Sequence, residues 1–331
     1  MSLSWIIIAG VCICGLVVSC PAQPPAGAAP EQPAPAAQKT TPKAARQPNV
    51  LATVGDAEIT WAHVEQLLRI AAVHLPEGDA EARRAALEQV ITLHLFHAYL
   101  DANKVPGDEN ALKQLRSAGL SESERNLIDS AQIMARYAAI AEDGKNDQVR
   151  LAKLLLDTAG DKQITEFIKA NPDLFNGTKV RASHILIECR PVAPTVEQKA
   201  AIARLEQIAA EIKAGKISFE DAARKNSACP SKAEGGDLGE FTAGRMVPTF
   251  SLAAFAMKVG EVSGVVRTRF GFHLIKVTGR AEGKQEPTAQ AREMAGAALV
   301  SKLQFEVYAQ ALTTCPIVMK EQDAEDTAER E

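Results

Sequence analysis

A chain of 331 residues is long enough for two packed domains with tails. Its composition, 46% apolar, 24% charged and 5% aromatic, is that of an ordinary globular protein. A formal net charge of -4 and a pI near 6.0 give no electrostatic basis for a nucleic-acid partner, and after position 20 no apolar run reaches the roughly 18 residues needed to span a bilayer. The first segment, WIIIAGVCICGLVVSC, is one apolar stretch followed at once by Pro, Gln, Ala and Gly, which predicts an export signal over residues 1–20; an uncleaved N-terminal anchor is the other reading. Residues 21–48 are Pro/Ala-rich and too poor in apolar side chains to fold, so they predict a disordered, semi-extended tether. NVLATVGDAEIT predicts a short strand, a Gly-Asp turn and Thr60 as the N-cap of a helix carrying Val64, Leu67, Leu68 and Ala71 on one face. A second helix is predicted from Asp79 to about Asn103, with Leu87, Val90, Ile91, His94 and Leu95 at i, i+3, i+4 spacing. Ser121-Glu-Ser-Glu124 reads as a capping box opening a third helix through Ile140, and shorter helices are predicted from Asp147 to Asp157 and from Gln163 to Asn171.

From 179 to 280 the pattern changes. KVRASHILIEC is β-rich. Thr195-Val-Glu-Gln198 reads as a capping box for a helix with Ile202, Leu205, Ile208 and Ile212, which Gly215 ends; Ser218 caps the next, SFEDAARKNS. The loop CPSKAEGGDLGEF, a short helix near Phe250–Met257, and two strands around an Arg-Phe-Gly turn complete the order β-α-α-loop-α-β-β, an α+β domain with a small antiparallel sheet. A helix from Pro287 to about Leu312 and a short strand in CPIVM follow, and the acidic stretch 321–331 is predicted disordered. Setting the export segment aside leaves Cys189, Cys229 and Cys315, an odd number matching no zinc spacing; a single 189–229 bridge stays open.

Two histidines lie on predicted strands. Alternation places His184 with Leu186 and Glu188 on one face, opposite Ile185 and Ile187, and places His273 with Ile275 and Val277. Singly, each could be a buried, hydrogen-bonded core histidine. His94 and His97, i and i+3 on a helix, have metal-compatible spacing but no carboxylate in register, which favours a structural role. Asp237 in the glycine loop is expected to brace its turn.

RASHILIE, CPSKAEGGDLGEF, GRMVPTFSLAAFAMKVGEVSGVV and RFGFHLIKV, in that order, resemble a parvulin-type peptidyl-prolyl cis-trans isomerase domain over about residues 179–279. The flanks, ATVGDAEITWAHV, QITEFIKANPDLF and 287–318, are similar to the helical chaperone part of exported foldases of the SurA and PrsA kind. The resemblance implies a parvulin domain (179–280) inserted in a mainly helical chaperone domain built from 49–178 and 281–320. It implies a catalytic cluster of His184, Cys229 and His273, with Thr268 hydrogen-bonded between the two imidazoles, and a proline pocket of Leu238, Met246 and Phe250 walled by Phe241 and Phe270. Pro248 makes a continuous helix from Met246 to Phe250 doubtful. Val17-Val18-Ser19-Cys20 resembles a bacterial lipobox, which implies lipidation at Cys20; Pro21 rather than Asp after it implies the outer membrane more than the inner, facing the periplasm.

The implied activity is rotation about X-Pro bonds of unfolded or nascent exported proteins, with a non-catalytic chaperone that merely holds peptides as the alternative. No bond is made or broken, so neither metal nor cofactor is required. Cys229 could be a nucleophile, a metal ligand with His184 and His273, or a polar contact; members of the family with Asp at this position imply a noncovalent contact. ECRPVAPT, with Glu188 and only Arg190 basic, lacks the basic loop of phosphate-demanding parvulins, so unphosphorylated clients are expected. A homodimer remains open.

Overall fold

The computed structural model describes residues 50–70, 79–105, 124 and 147–320. The export segment with Cys20, the tether 21–48, the helix predicted from Ser121 to Ile140 (Glu124 apart) and the acidic stretch 321–331 lie outside the described residues.

The first strand, β1 (Val50–Val54), forms a hairpin with β2 (Ala57–Thr60), a second strand where the sequence pattern suggested only a turn and a cap. Helix α1 (Trp61–Ile70) follows directly. Thr60 precedes it as expected, but its backbone N–H donates to Nδ1 of His63 at 3.1 Å, a ring nitrogen reaching back as the third residue of a capping box does. Helix α2 (Ala80–Ala102) starts where Asp79 accepts from the Ala82 N–H at 2.9 Å. Helices α3 (Asp147–Ala159) and α4 (Asp161–Ala170) lead through a 3-10 turn, Pro172–Leu174, to the middle of the chain.

Strand β3 (Lys179–Glu188), helices α5 (Thr195–Lys213) and α6 (Phe219–Asn226), strand β4 (Asp237–Thr242), helix α7 (Pro248–Ala256) and strands β5 (Val266–Thr268) and β6 (Gly271–Ala281) come next. The sheet is antiparallel, in the order β4-β3-β6-β5. Strand β4 occupies part of the segment expected to be loop. Glycine and acidic residues give DLGEFT little strand propensity, and β4 exists because β3 offers it a partner at the sheet edge.

Both faces of the sheet are covered, which is why β3 and β6 run apolar with little polar relief. Ile185, Phe272 and Leu274 pack on Leu205 and Ile208 of α5 and Phe219 of α6. Val180, Ala182, Ile275 and Val277 pack on Phe241, Phe250 and Phe255.

Helix α8 (Ala289–Thr314) and strand β7 (Ile317–Met319) then return to the start of the described chain. Strand β7 pairs antiparallel with β1, giving the order β2-β1-β7. Leu303, Val307 and Ala311 of α8 share one core with Leu87, Val90, Ile91 and Leu95 of α2, Leu151 and Leu155 of α3, and Ala52 and Val54 of β1.

The middle sheet is docked on this body by polar contacts that the sequence assigned elsewhere. Thr195 does not cap α5; Pro194 holds that position, and the Thr195 hydroxyl accepts from the Ile317 N–H of β7 at 2.8 Å. Gln198 is buried and donates to the Ala193 carbonyl at 2.5 Å instead of closing a capping box. Burial beside another element overrides a local cap because a buried polar group must find a partner. Ser218 does cap α6, accepting from the Asp221 N–H at 3.0 Å.

Candidate active site

The register of β3 on β6 sets Leu186 opposite His273 and His184 opposite Ile275, so both imidazoles rise from the same face on neighbouring strands. Their Nδ1 atoms lie 3.1 Å apart and their rings stack at 5.3 Å with 23° between planes. Thr268, the last residue of β5, places its hydroxyl 2.7 Å from Nε2 of His273 and accepts from the Phe270 N–H at 3.1 Å. The threonine therefore does not sit between the two imidazoles, as expected from the resemblance. It ends a chain, Thr268–His273–His184, because the strand order puts β6 between β5 and β3.

His184 and His273 are only 6% and 3% exposed and Thr268 1%. Burial lowers the pKa of His184 to about 4, and burial together with the neighbouring His184 lowers that of His273 to about 3. The lowered pKa values keep both rings neutral near pH 7, and the two nitrogens in contact share a single proton. If Thr268 donates, the proton shared by the rings belongs to His273 and His184 carries its own on Nε2; if Thr268 accepts, every proton shifts along one place. In either tautomer the chain ends at Nε2 of His184, which is buried with no hydrogen-bond partner among the described residues.

Phe250 covers the pair, edge-on to His184 at 5.7 Å and to His273 at 5.6 Å. No continuous helix joins Met246 to Phe250, as expected: Pro248 stands at the first position of α7, where its missing N–H is not needed, and Met246 lies before the helix. Leu238, on β4, and Met246 are partly buried against the cluster that holds Phe250 and Phe241. Phe270 stands apart from it. It is 51% exposed in the β5–β6 turn, with the Arg269 guanidinium 4.8 Å from its ring centre, because Thr268 and Gly271 pair across a two-residue loop.

Cys229 is positioned by serines, not by the imidazoles. Its N–H donates to the Ser227 hydroxyl at 3.3 Å, and the Ser231 hydroxyl donates to its Sγ at 3.3 Å. Ser227 is itself buried and accepts from the Leu186 N–H at 3.1 Å, while the Ala228 N–H donates to the Leu186 carbonyl at 2.8 Å. This lock onto β3 fixes where the thiol stands. The thiol–imidazole hydrogen bond that a nucleophilic cysteine uses is absent among the described residues: the Cys229 Sγ accepts from Ser231, and the two imidazoles bond each other and Thr268. Cys189, Cys229 and Cys315 are all free thiols. Nothing beyond the serines' neighbourhood in sequence signalled Ser227 and Ser231.

Gly236 lets the loop close on this site. At φ +84° its carbonyl accepts from the His184 N–H at 2.9 Å, and a Cβ there would collide with the His184 carbonyl oxygen. Asp237 braces the next turn through the Gly239 N–H at 3.0 Å and pairs with Arg181 at 2.6 Å, which holds its carboxyl below the usual range.

The other histidine pair is elsewhere. His94 lies 6.1 Å from the ring of His63. His97, expected to lack a carboxylate, has two: Nδ1 lies 2.5 Å from Asp147 of α3 and Nε2 3.4 Å from Asp101, with Arg150 bonded to both acids. One partner was legible at i+4; the other comes from a different helix. Among the described residues no three His, Cys, Asp or Glu side chains are grouped to hold a metal ion.

The family model for the PPIC-type peptidyl-prolyl isomerase (rotamase) domain matches residues 184–279, the span from one site histidine to just beyond the other. The peptidyl-prolyl cis-trans isomerase Pin1 of Arabidopsis thaliana is 38% identical over 113 residues, covering 30% of this chain and 95% of that protein. The chain belongs to the parvulin-type peptidyl-prolyl isomerase family. The parvulin segment is also 41% identical over 110 residues to the isomerase pin1 of Schizosaccharomyces pombe, covering 30% of this chain and 63% of that one. The similarity to the foldase protein PrsA of Bacillus subtilis is longer, 37% over 155 residues, covering 45% of this chain and 48% of PrsA. The chain thus matches less than two thirds of the length of both the S. pombe and B. subtilis relatives. Among the described residues no helix is long and apolar enough to cross a membrane.

Proposed function

We propose that this protein is an exported foldase that accelerates cis-trans rotation about unphosphorylated X-Pro bonds in unfolded polypeptides. The observation that carries the reading is the neutral, water-excluded chain Thr268–His273–His184 packed beneath Phe250. Rotation must break amide resonance, a barrier of about 18–20 kcal/mol. The twisted amide is less polar at its carbonyl oxygen than the planar one, so a pocket with no formal charge and little water favours it. Each tenfold in rate needs only about 1.4 kcal/mol of such preference. Leu238, Met246, Phe250 and Phe241 form the ring pocket, His184 and His273 its polar floor, and Cys229 a noncovalent contact to the amide. The imidazoles are held out of acid–base chemistry by their low pKa values.

On this reading the segment 179–280 is a unit inserted in a chaperone body of 49–178 and 281–320, supported by the β1–β7 pairing and the core shared by α2, α3 and α8. A lipid at Cys20 would tether it to the periplasmic face of a membrane, the outer one favoured by Pro21.

The deciding experiment is an X-Pro peptide isomerase assay. Cys229→Asp is expected to stay within about tenfold of the parent, and Cys229→Ala combined with His184→Ala to lose about 100-fold or more. An Asp variant with no activity would instead argue for covalent chemistry.

Preference for unphosphorylated substrate is supported by Arg190, which pairs with Glu88 at 2.6 Å, and by Glu188, exposed at the end of β3. A phosphate dianion there would meet a carboxylate and an already neutralised guanidinium. A Ser-Pro peptide should turn over at least as fast as its phosphoserine-Pro counterpart; a strong preference for the latter defeats the assignment.

A further inference from the structure

Arg267 precedes Thr268 on β5, and successive residues of a strand point to opposite faces. While Thr268 holds His273 on one face, the Arg267 guanidinium lies on the other, 5.3 Å from the ring centre of Phe272 and 5.0 and 6.0 Å from those of Tyr308 and Phe305 on α8. Its Nη2 donates to the Pro191 carbonyl and to Oε1 of Gln198, both at 2.6 Å, and Gln198 is itself fixed by its bond to Ala193. Among the described residues no carboxylate pairs with Arg267, and its Nη1 is buried without a partner. Withdrawing a guanidinium from water without a counter-charge is unfavourable, and an apolar side chain would fill the same space at lower cost. What the guanidinium adds is direction. Contacts with three aromatic rings and two oxygen acceptors hold it in one place. Strand β5 needs that hold, since it has three residues and, among the described residues, only β6 as a strand partner.

We infer that Arg267 is a positioning residue through which the helical body, by way of Phe305 and Tyr308, sets the Thr268–His273 hydrogen bond of the isomerase site. The inference rests on the isomerase reading above and adds a second element to it: α8, outside the segment that carries the site residues, helps set the site's geometry.

The test uses the full chain and five variants: Arg267→Met, Arg267→Lys, Tyr308→Leu, Thr268→Ala and the double Arg267→Met with Thr268→Ala. Turnover of an unphosphorylated X-Pro peptide is measured beside the nitrogen resonances of the His273 ring and the thermal unfolding midpoint. Arg267→Met is expected to lower kcat about tenfold with KM within about twofold, and to shift the His273 Nε2 resonance. Tyr308→Leu should shift the same resonance in the same direction, although Tyr308 touches the guanidinium and not the imidazoles. Arg267→Lys should recover part of kcat. The double variant should be no more than about twofold slower than Thr268→Ala alone, because Arg267 acts through that threonine. An unchanged kcat and resonance in Arg267→Met, or losses that multiply in the double variant, would overturn the inference. Should Arg267→Met not fold, Tyr308→Leu and Arg267→Lys carry the same comparison. Should the parent chain lack isomerase activity, the functional reading fails while the His273 resonance still decides the coupling.

Discussion

Phe250→Ala is expected to destabilise the protein by about 3–5 kcal/mol and to remove most isomerase activity. The ring is 3% exposed and packs with Phe241, Val180, Ala182 and Ile275 in one core. It also meets both site imidazoles edge-on, and such aromatic pairs contribute roughly 0.5–1.5 kcal/mol beyond the area they bury. Truncation would leave a void directly over His184 and His273. Polar lining makes that void one that water can enter, so the imidazoles would regain solvation and their depressed pKa values would rise. Phe250→Leu keeps most of the volume and should retain most of the stability, yet still lose activity through the altered pocket. Urea unfolding and the peptide assay, run on both variants, check this. A loss in the alanine variant below about 1 kcal/mol would mean that α7 does not seal the site.

Acidification is expected to weaken the fold well before the carboxylates titrate. In the unfolded chain the two site histidines bind protons near pH 6.5, whereas folded His184 and His273 do so only near 4 and 3. Between pH 6.5 and 4 the unfolded state therefore holds more protons, and stability falls as pH falls through that window. Each tenfold difference in proton affinity between the two states corresponds to about 1.4 kcal/mol, so each ring removes up to roughly 3 kcal/mol by pH 4. His94, lowered to about 4 chiefly by burial, acts in the same direction. His97 opposes them. Its hydrogen bond to Asp147 raises its pKa, so its contribution is fully present below pH 6.5 and is lost as pH rises through the folded value. Urea unfolding from pH 7 to 4.5 should show the net loss, and ring-proton resonances should show His184 and His273 neutral throughout. Either ring titrating near 6.5 would remove the premise. His184→Gln with His273→Gln, where it folds, should flatten the dependence.

Much of this protein is written locally. The apolar pattern of α2, with Asp79 before it, produces the same helix and cap in the structure. Period-two alternation in RASHILIE and FGFHLIKV puts each histidine on a strand face, and the order of four motifs identifies the family. Proline at the first position of α7 and serine as the cap of α6 act on their own helix turn, so their effect is readable within a few residues. What needed the tertiary structure is whatever depends on a partner distant in the chain. His184 and His273 are 89 residues apart, and only the strand register makes them one proton-sharing pair with Thr268 at its end. Strand β4 has weak propensity of its own and forms because β3 presents an edge. Thr195 and Gln198 spell a capping box, but the docking of β7 and of Arg267 claims their side chains. His97 finds Asp147 from 50 residues away, and Ser227, which holds the Cys229 N–H, is itself fixed by the Leu186 N–H 41 residues away. The division follows from range. Backbone propensity and capping act over one turn of chain, whereas hydrogen-bond satisfaction in a buried site is a property of the packed whole.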